Sequence, residues 1–392
     1  MTTPPADVPG GPGRRNHRVL LTRREALRAG GSGLLVAGLA SRSPAQAPPA
    51  SDQLARTPRR VAEQLASAYG NRFDEVAYIP ALPLVAKLRM AEQPGAARHA
   101  ERVNALVAPF LKGEKSPVPS SGPQQAGHLI FAALAERSRG ADRERWIRLC
   151  RSAADQIFGP DGRPLPAMPF HNEMSDAVFM GVPILAATGR LTGERRYFDA
   201  AAAHFATMRS LCLRPDGLYR HSPLCEAAWG RGNGFPALGL AFALSDWPED
   251  HPEREVLLAE FRRHMAALKP HQDADDGRWH QVIDHPESYP EYTCTCMIAC
   301  AMLRGVRRGW LAKDEYRPSI ARAWRAVLEW TGPEGSLVNV CSGTGKQMTL
   351  RDYFDRPAIN GRDDRGGAMG LIFAVELLEA GSSGLIEATI GP

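Results

Sequence analysis

Apolar positions recur at helical spacing along most of this chain, and alternating strand-like runs are scarce. Four stretches show the pattern most clearly: residues 132–157, 184–209, 238–269 and 296–330. Each is interrupted once near its middle by glycine or proline: Gly140, Gly189 with Gly193, Pro248 with Pro252, and Gly305 with Gly309. These residues end or turn a helix, so each stretch predicts two helices folded back on one another.

Between the pairs an acid–glycine turn recurs, as Asp161-Gly162, Asp216-Gly217, Asp276-Gly277 and Glu334-Gly335, at intervals of 55, 60 and 58 residues. Acid–glycine pairs are ordinary turn chemistry, but even spacing is the mark of a repeat. The period divides the chain after its leader into about six helical hairpins. The expected fold class is therefore all-α, an (α/α)6 toroid with an inner ring of helices inside an outer ring. An open helical solenoid is the alternative. In a closed ring, equivalent positions of successive repeats share one rim. That rim would collect residues 171–176, 218–221, 229–233, 279–281, 291–295 and Asp363-Asp364. Asp176, Asn233 and Thr293 are themselves 57 and 60 residues apart.

The two ends change this picture little. Residues 1–47 read as a twin-arginine signal peptide. Thr22-Arg23-Arg24-Glu25-Ala26-Leu27-Arg28 is followed by an apolar run over 29–40 and the small-residue site Ala45-Gln46-Ala47. The run is too short to span a bilayer, and no cysteine follows it to carry a lipid. The expectation is export by the twin-arginine machinery to the periplasm or beyond, with no membrane anchor once the leader is removed. Residues 48–392 are expected to form one catalytic domain. The leader holds Arg14, Arg15, Arg18, Arg23, Arg24, Arg28 and Arg42 against Asp7 and Glu25, a net +5 that equals the charge of the whole chain. The chain beyond the leader is therefore neutral, which removes the main support for a nucleic-acid partner. The seven cysteines lack zinc-type paired spacing, and Cys294, Cys296 and Cys300 share one apolar segment, so buried structural thiols are expected.

Chemistry concentrates on the rim. In Trp229-Gly230-Arg231-Gly232-Asn233-Gly234, glycines allow close approach, the guanidinium offers a fork for a carboxylate, and the indole offers a flat face for a sugar. Trp, His, Arg, Asn, Gln, Tyr and Asp around one opening are the composition of a carbohydrate site. The glycine-rich Ser342-Gly343-Thr344-Gly345-Lys346 lacks the strand–loop–helix context of a phosphate loop.

Four ordered blocks carry a family resemblance. They are Asp176-Ala177-Val178-Phe179-Met180-Gly181-Val182-Pro183; Asp216-Gly217-Leu218-Tyr219-Arg220-His221 running on to 229–234; 272–284 with Trp279-His280-Gln281; and 353–376. Together they resemble the unsaturated uronyl hydrolases, glycoside hydrolase families 88 and 105, over most of the chain after about residue 60. The resemblance implies a six-hairpin toroid and an oligosaccharide substrate. The substrate's terminal uronic acid carries a C4=C5 double bond left by a polysaccharide lyase. It implies hydration of that enol ether with Asp176 as proton donor, and no metal or organic cofactor. His221, Trp229 and Arg231 match positions that line the family's pocket, with Arg231 facing the substrate carboxylate. His171, Asn233, Trp279, His280 and Gln281 join them as substrate-binding candidates from their places on the rim. One departure stands out: residues 119–127 carry no acid where the family usually has a second aspartate. Three alternatives remain. One is an inverting glycosidase pairing Asp176 with Glu226 or Asp364. The others are a polysaccharide lyase using tyrosine and histidine, and a non-catalytic sugar-binding protein on the same frame.

Overall fold

A computed structural model describes residues 51–382; the leader expected over 1–47 lies outside them. After a one-turn α1 (Ser51–Leu54) come α2 (Pro58–Ala68), α3 (Tyr78–Met90), α4 (Arg98–Leu111), α5 (Gly122–Gly127) and α6 (Leu129–Arg137). The middle of the chain forms α7 (Gly140–Ala154), α8 (Ala177–Thr192), α9 (Arg195–Cys212) and α10 (Gly230–Asp246). The last helices are α11 (Arg254–Leu268), α12 (Tyr292–Arg307), α13 (Lys313–Trp330), α14 (Leu350–Phe354) and α15 (Asp364–Ser382).

Two kinds of helix alternate, and burial separates them. Helices α8, α10 and α12 are buried on nearly every side, as expected of helices surrounded by others. Helices α11 and α13 bury one stripe only, for example Leu257, Leu258, Phe261, His264, Met265 and Leu268 of α11. The first kind packs neighbour to neighbour as α3, α5 with α6, α8, α10, α12 and α15, and α15 returns to α3, closing an inner ring. Helices α2, α4, α7, α9, α11 and α13 lie outside it. This is the expected (α/α)6 toroid. Close packing inside the ring needs small residues. A Cβ at Gly239 of α10 would stand 2.9 Å from the Phe179 main chain of α8, and one at Gly367 of α15 would stand 2.3 Å from the Tyr69 ring.

Connections from inner to outer helix are tight, as at Gly193, whose left-handed φ of 75° ends α8. Connections from outer to inner helix are long, so they all emerge on the face where inner helices begin. The expected acid–glycine turns lie there, with Gly162, Gly217, Gly277 and Gly335 at φ 76°, 87°, 77° and 77°. Three of them close small loops bridged antiparallel at Phe158 with Pro164, Leu213 with Tyr219, and Thr331 with Leu337. Two short ribbons complete this face. Strand β1 (Trp279–His280) pairs with β2 (Pro290–Glu291), and β3 (Leu337–Cys341) pairs with β4 (Ala358–Gly361) through a register shift. All seven cysteines are free, and all but Cys225 are buried.

At the opposite face, where inner helices end, ion pairs hold the ring shut. Glu376 of α15 is fully buried and meets Arg89 of α3 at 2.7 Å, Arg304 of α12 at 2.6 Å, and Arg307 of α12. Burial by itself would raise the Glu376 carboxyl; Arg304, Arg89 and Arg307 outweigh it and hold the group well below the usual glutamate range. Glu379 adds a bidentate contact to Arg89, at 2.7 and 2.8 Å. Removing the charge would leave buried guanidinium groups uncompensated. Glu376→Gln is therefore expected to lower the unfolding free energy by about 3–5 kcal/mol near neutral pH. Because the native carboxyl is depressed, its contribution is complete above the unfolded glutamate range. It fades as pH falls through that range toward the lower native value. Denaturant titrations of both proteins across acidic pH check this: the gap between them must shrink on acidification.

Candidate active site

Asp176 sits at the N-cap position of α8, yet its side chain makes no capping bond. The residue is 6% exposed, and Oδ1 is buried with no hydrogen bond. A buried carboxylate atom without a partner costs stability, so its persistence points to a use other than folding. The group facing it is His221, whose Nε2 lies 3.3 Å from Oδ1 and is also buried without an aligned hydrogen bond. The other ring nitrogen, Nδ1, lies 2.9 Å from the Tyr353 hydroxyl, which in turn accepts the Gln347 main-chain N–H at 3.2 Å.

The loops that bring these groups together are stitched through the main chain. Ser175 donates its N–H to the His221 carbonyl (2.9 Å) and its hydroxyl to the Gly232 carbonyl (2.7 Å), joining the starts of α8 and α10. Trp229 packs behind His221, with ring centroids 4.5 Å apart, and the Arg231 guanidinium lies 4.7 Å over the indole. Trp229, Tyr353, Val282, Cys341 and Ala227 form a small apolar cluster of their own beneath the site.

His171 enters the same space from the loop before Asp176. It holds φ at 57°, one of two non-glycine residues in the left-handed region among the described residues. Its ring lies so close to Gly122, at the start of α5, that a Cβ there would stand 2.6 Å from Nδ1. Burial, more than the opposing charge of Asp176, holds this imidazole below its usual range, so it is neutral at pH 7. Neither ring nitrogen has a hydrogen-bond partner among the described residues.

Several predicted site residues turn out to serve the frame instead. Arg231, expected to meet a substrate carboxylate, is 2% exposed and gives Nη1 to the Cys341 carbonyl (2.8 Å) and Nη2 to the Ser342 carbonyl (2.7 Å). Trp229 is a wall behind His221, not an open platform for a sugar. Asn233 clips Tyr219 by both its groups, accepting its N–H and donating to its carbonyl at 2.8 Å each. Trp279 is fully buried with Nε1 on the Leu268 carbonyl, and His280 gives Nδ1 to the Ser288 carbonyl at 2.6 Å. Gln281 is buried and donates to the Tyr353 carbonyl at 3.1 Å, holding α14 from below. Glu291 caps α12, accepting from the Thr293 and Cys294 N–H groups and from the Cys341 N–H of β3.

The sequence pattern gave no site role to Tyr78, Tyr353 or Arg365, although the last two fall in the fourth block of the resemblance. Tyr78 opens inner helix α3 and packs edge-on against Phe179 and Phe235. Burial raises its hydroxyl's pKa, and the charges of Arg231, Asp176, Arg365 and Asp363 all act on it. The hydroxyl itself is unbonded among the described residues. The chain neighbours of Tyr78, Ala77 and Ile79, with Tyr69, Gln124, Asp363 and Arg365, line a cavity of ≈ 960 Å³ between the end of α2 and the starts of α3, α5 and α15; Tyr78, Asp176, His171 and His221 are not part of that lining. Arg365 pairs through Nη1 with Asp363 at 2.8 Å and has uncommitted N–H groups beside it. A second, mostly aliphatic groove of ≈ 630 Å³ runs past Leu165, Pro169, Leu224 and Lys346. Lys346 also pairs with Glu173, which lines the same groove. Among the described residues no cluster of three or more histidine, cysteine or acidic groups could hold a metal.

The strained backbone at 171 yields a test. Glycine relieves a left-handed φ, so His171→Gly should leave the unfolding free energy unchanged or raise it by up to about 1 kcal/mol. Turnover should nonetheless fall at least ~10-fold if the ring contacts substrate. A variant that is both active and less stable would make His171 a packing residue.

Known proteins resemble this chain in both sequence and fold. The model of Glycosyl Hydrolase Family 88 matches residues 129–380. The unsaturated rhamnogalacturonyl hydrolase YesR of Bacillus subtilis is 26% identical over 191 residues, 47% of this chain and 53% of that protein. An unsaturated 3S-rhamnoglycuronyl hydrolase of Formosa agariphila is 26% identical over 183 residues, 41% of this chain and 48% of that protein. The chain thus spans about half the length of these curated relatives. Among solved structures, a possible member of the GH105 family from Klebsiella pneumoniae superposes with a TM-score of 0.71 at 21% identity, covering 90% of this chain and 99% of that one. The unsaturated glucuronyl hydrolase of Bacillus sp. GL1 gives 0.58 at 17%, covering 84% and 96%. At these identities the structures show the shared fold.

Proposed function

The chain belongs to glycosyl hydrolase family 88, and from that premise we propose that it removes the terminal unsaturated uronic acid from oligosaccharides left by a polysaccharide lyase. Two of its relatives are named for unsaturated rhamnogalacturonyl and 3S-rhamnoglycuronyl substrates, so the proposed substrate class is a uronic acid joined to rhamnose. The observation that carries the reading is Asp176: a buried carboxylate at the start of an inner helix, free of any structural bond and facing a histidine.

In the proposed reaction, Asp176 gives its proton to C4 of the C4=C5 double bond. The ring oxygen stabilises the cation that forms at C5. Water adds at C5 and returns its proton to Asp176, so one carboxyl group acts as acid and then as base. The hydrate opens at its C5–O bond to a ketone, and the hemiacetal freed at C1 releases the remaining saccharide as an alcohol. One water is consumed and the enzyme is restored. His171 and Tyr78, both within electrostatic reach of Asp176, supply unbonded polar groups for the sugar hydroxyls. Arg365, which faces the cavity with free N–H groups, takes the substrate carboxylate in place of Arg231. The inverting alternative loses support because Glu226 is 69% exposed and paired with Arg220, while Asp364 is exposed.

Turnover is expected to appear as loss of the double bond's ultraviolet absorbance on unsaturated uronyl disaccharides. Asp176→Asn should lower kcat by at least ~10²-fold with the folded state intact. No absorbance loss on pectin-, ulvan- and glycosaminoglycan-derived substrates would sink the reading, and an active Asp176→Asn would sink the assignment of the proton.

Export through the twin-arginine route is part of the same proposal. Its support is the leader pattern and seven unpaired cysteines, six of them buried, which suit a chain that folds before meeting an oxidising compartment. Replacing Arg23 and Arg24 together by lysine should retain the unprocessed protein in the cytoplasm, read by fractionation.

A further inference from the structure

Tyr353 lies outside every site the sequence predicts, yet its hydroxyl is the only protein group bonded to the His221 ring among the described residues. The residue is fully buried on the short helix α14, which is fixed by a capping box between Thr349 and Asp352 and from below by Gln281. Its oxygen has two neighbours, the Gln347 N–H and His221 Nδ1. The Gln347 N–H can only donate. If Nδ1 also carried a proton, two donors would converge on the oxygen and the hydroxyl's own proton would have no acceptor. A hydroxyl that accepts from Gln347 and donates to a bare Nδ1 satisfies all three groups. The proton of a neutral His221 then lies on Nε2, the atom 3.3 Å from Asp176.

We propose that Tyr353 is a positioning residue that fixes His221 as its Nε2–H tautomer and so keeps the protonated ring nitrogen on the side that faces the Asp176 carboxylate, 3.3 Å from Oδ1. The link reaches further, because Gln347 lies in the loop between β3 and α14. Lys346 of that loop pairs with Glu173 of the loop before α8. Arg356 holds the root of the loop through the Thr344 hydroxyl, the Ser342 hydroxyl and the Gly343 carbonyl. The placement of this loop is therefore transmitted, through one amide and one hydroxyl, to the histidine that faces the reacting carboxylate. The orientation of a hydrogen-bonded imidazole by its second nitrogen is the general device by which histidines are aimed. The kinetic consequence rests on the proposed hydrolase activity; the tautomer does not.

The test reads both. In protein carrying ¹⁵N-histidine, long-range proton–nitrogen correlations report which ring nitrogen is protonated, and the His221 signals are those lost in His221→Gln. Wild type is expected to show a bare Nδ1 and a protonated Nε2. Tyr353→Phe keeps the buried ring and removes one oxygen. It should abolish the single-tautomer signature and lower kcat at least ~10-fold while KM stays within about 2-fold. A wild-type His221 protonated on Nδ1 overturns the proposal, as does a Tyr353→Phe protein that keeps the Nε2–H signature. Because the tautomer is read without substrate, it decides the proposal even if no unsaturated uronyl substrate is turned over.

Discussion

A ring of helices holds only if its last member finds its first, and here one buried carboxylate reaches across that meeting. Glu376 of α15 reaches Arg89 of α3, the first inner helix, and Arg304 and Arg307 of α12, the inner helix before it. Within each hairpin a short turn does the joining, but no such turn links α15 to α3. Closure also buries the apolar face of α15 against α3 and α2, and the ion pairs add a directional contact to that packing. Tyr69, seated against Gly367 where any side chain would clash, does the same work nearer the other end of α15.

Closure fixes where chemistry can occur. Once inner helices run in one direction, every long connection lies at their starts, and six sets of helix N–H groups open toward one rim. Most polar groups there are consumed by the frame. Arg231 ties α10 to the end of β3, the N–H of Cys341 ties β3 to Glu291, and Glu291 caps α12. Ser175 and Asn233 clip the remaining loops to the start of α10. Among the described residues the lacing leaves Asp176 Oδ1 and His221 Nε2 facing one another without an aligned hydrogen bond, with the His171 ring and the Tyr78 hydroxyl also unbonded; Trp229 Nε1, His280 Nε2 and Gln281 Oε1 are unbonded on the same rim. What sets Asp176 apart is that its unbonded atom belongs to a carboxylate facing a histidine.

The repeat was legible in the sequence because its turns need left-handed glycines, and Gly162, Gly217, Gly277 and Gly335 all adopt that conformation. The first repeat is hidden because its turn glycine, Gly70, follows Tyr69 and not an acid; Tyr78 is hidden with it. Position in a repeat places a residue on the rim, but not the direction of its side chain. Trp279, His280 and Asn233 sit on the rim as expected and point into the frame. For Arg231 the missing information was longer in range, since the carbonyls that occupy its fork come from residues 110 and 111 positions later. Aspartate at a helix start usually reads as a cap. Only the structure shows that Asp176 caps nothing.

The two acidic residues at opposite ends of the inner ring show how surroundings decide what a carboxyl group can do. Glu376 is gripped by three arginines and stays ionised far into acid. Such a group can hold helices together, but it cannot deliver a proton at neutral pH. Asp176 is nearly as buried, yet no arginine or lysine bonds to it. Its facing partner is a histidine, a hydrogen-bond donor that need not bring a fixed charge, and the nearby His171 is neutral. A carboxyl group that must carry a proton, release it to carbon and take another from water has to sit beside groups that orient it without clamping one charge state. Ion pairing at the closing end and the lack of a bonded arginine or lysine at Asp176 are therefore complementary: three guanidinium groups grip the carboxylate that holds the ring, and none pairs with the carboxylate proposed to move a proton.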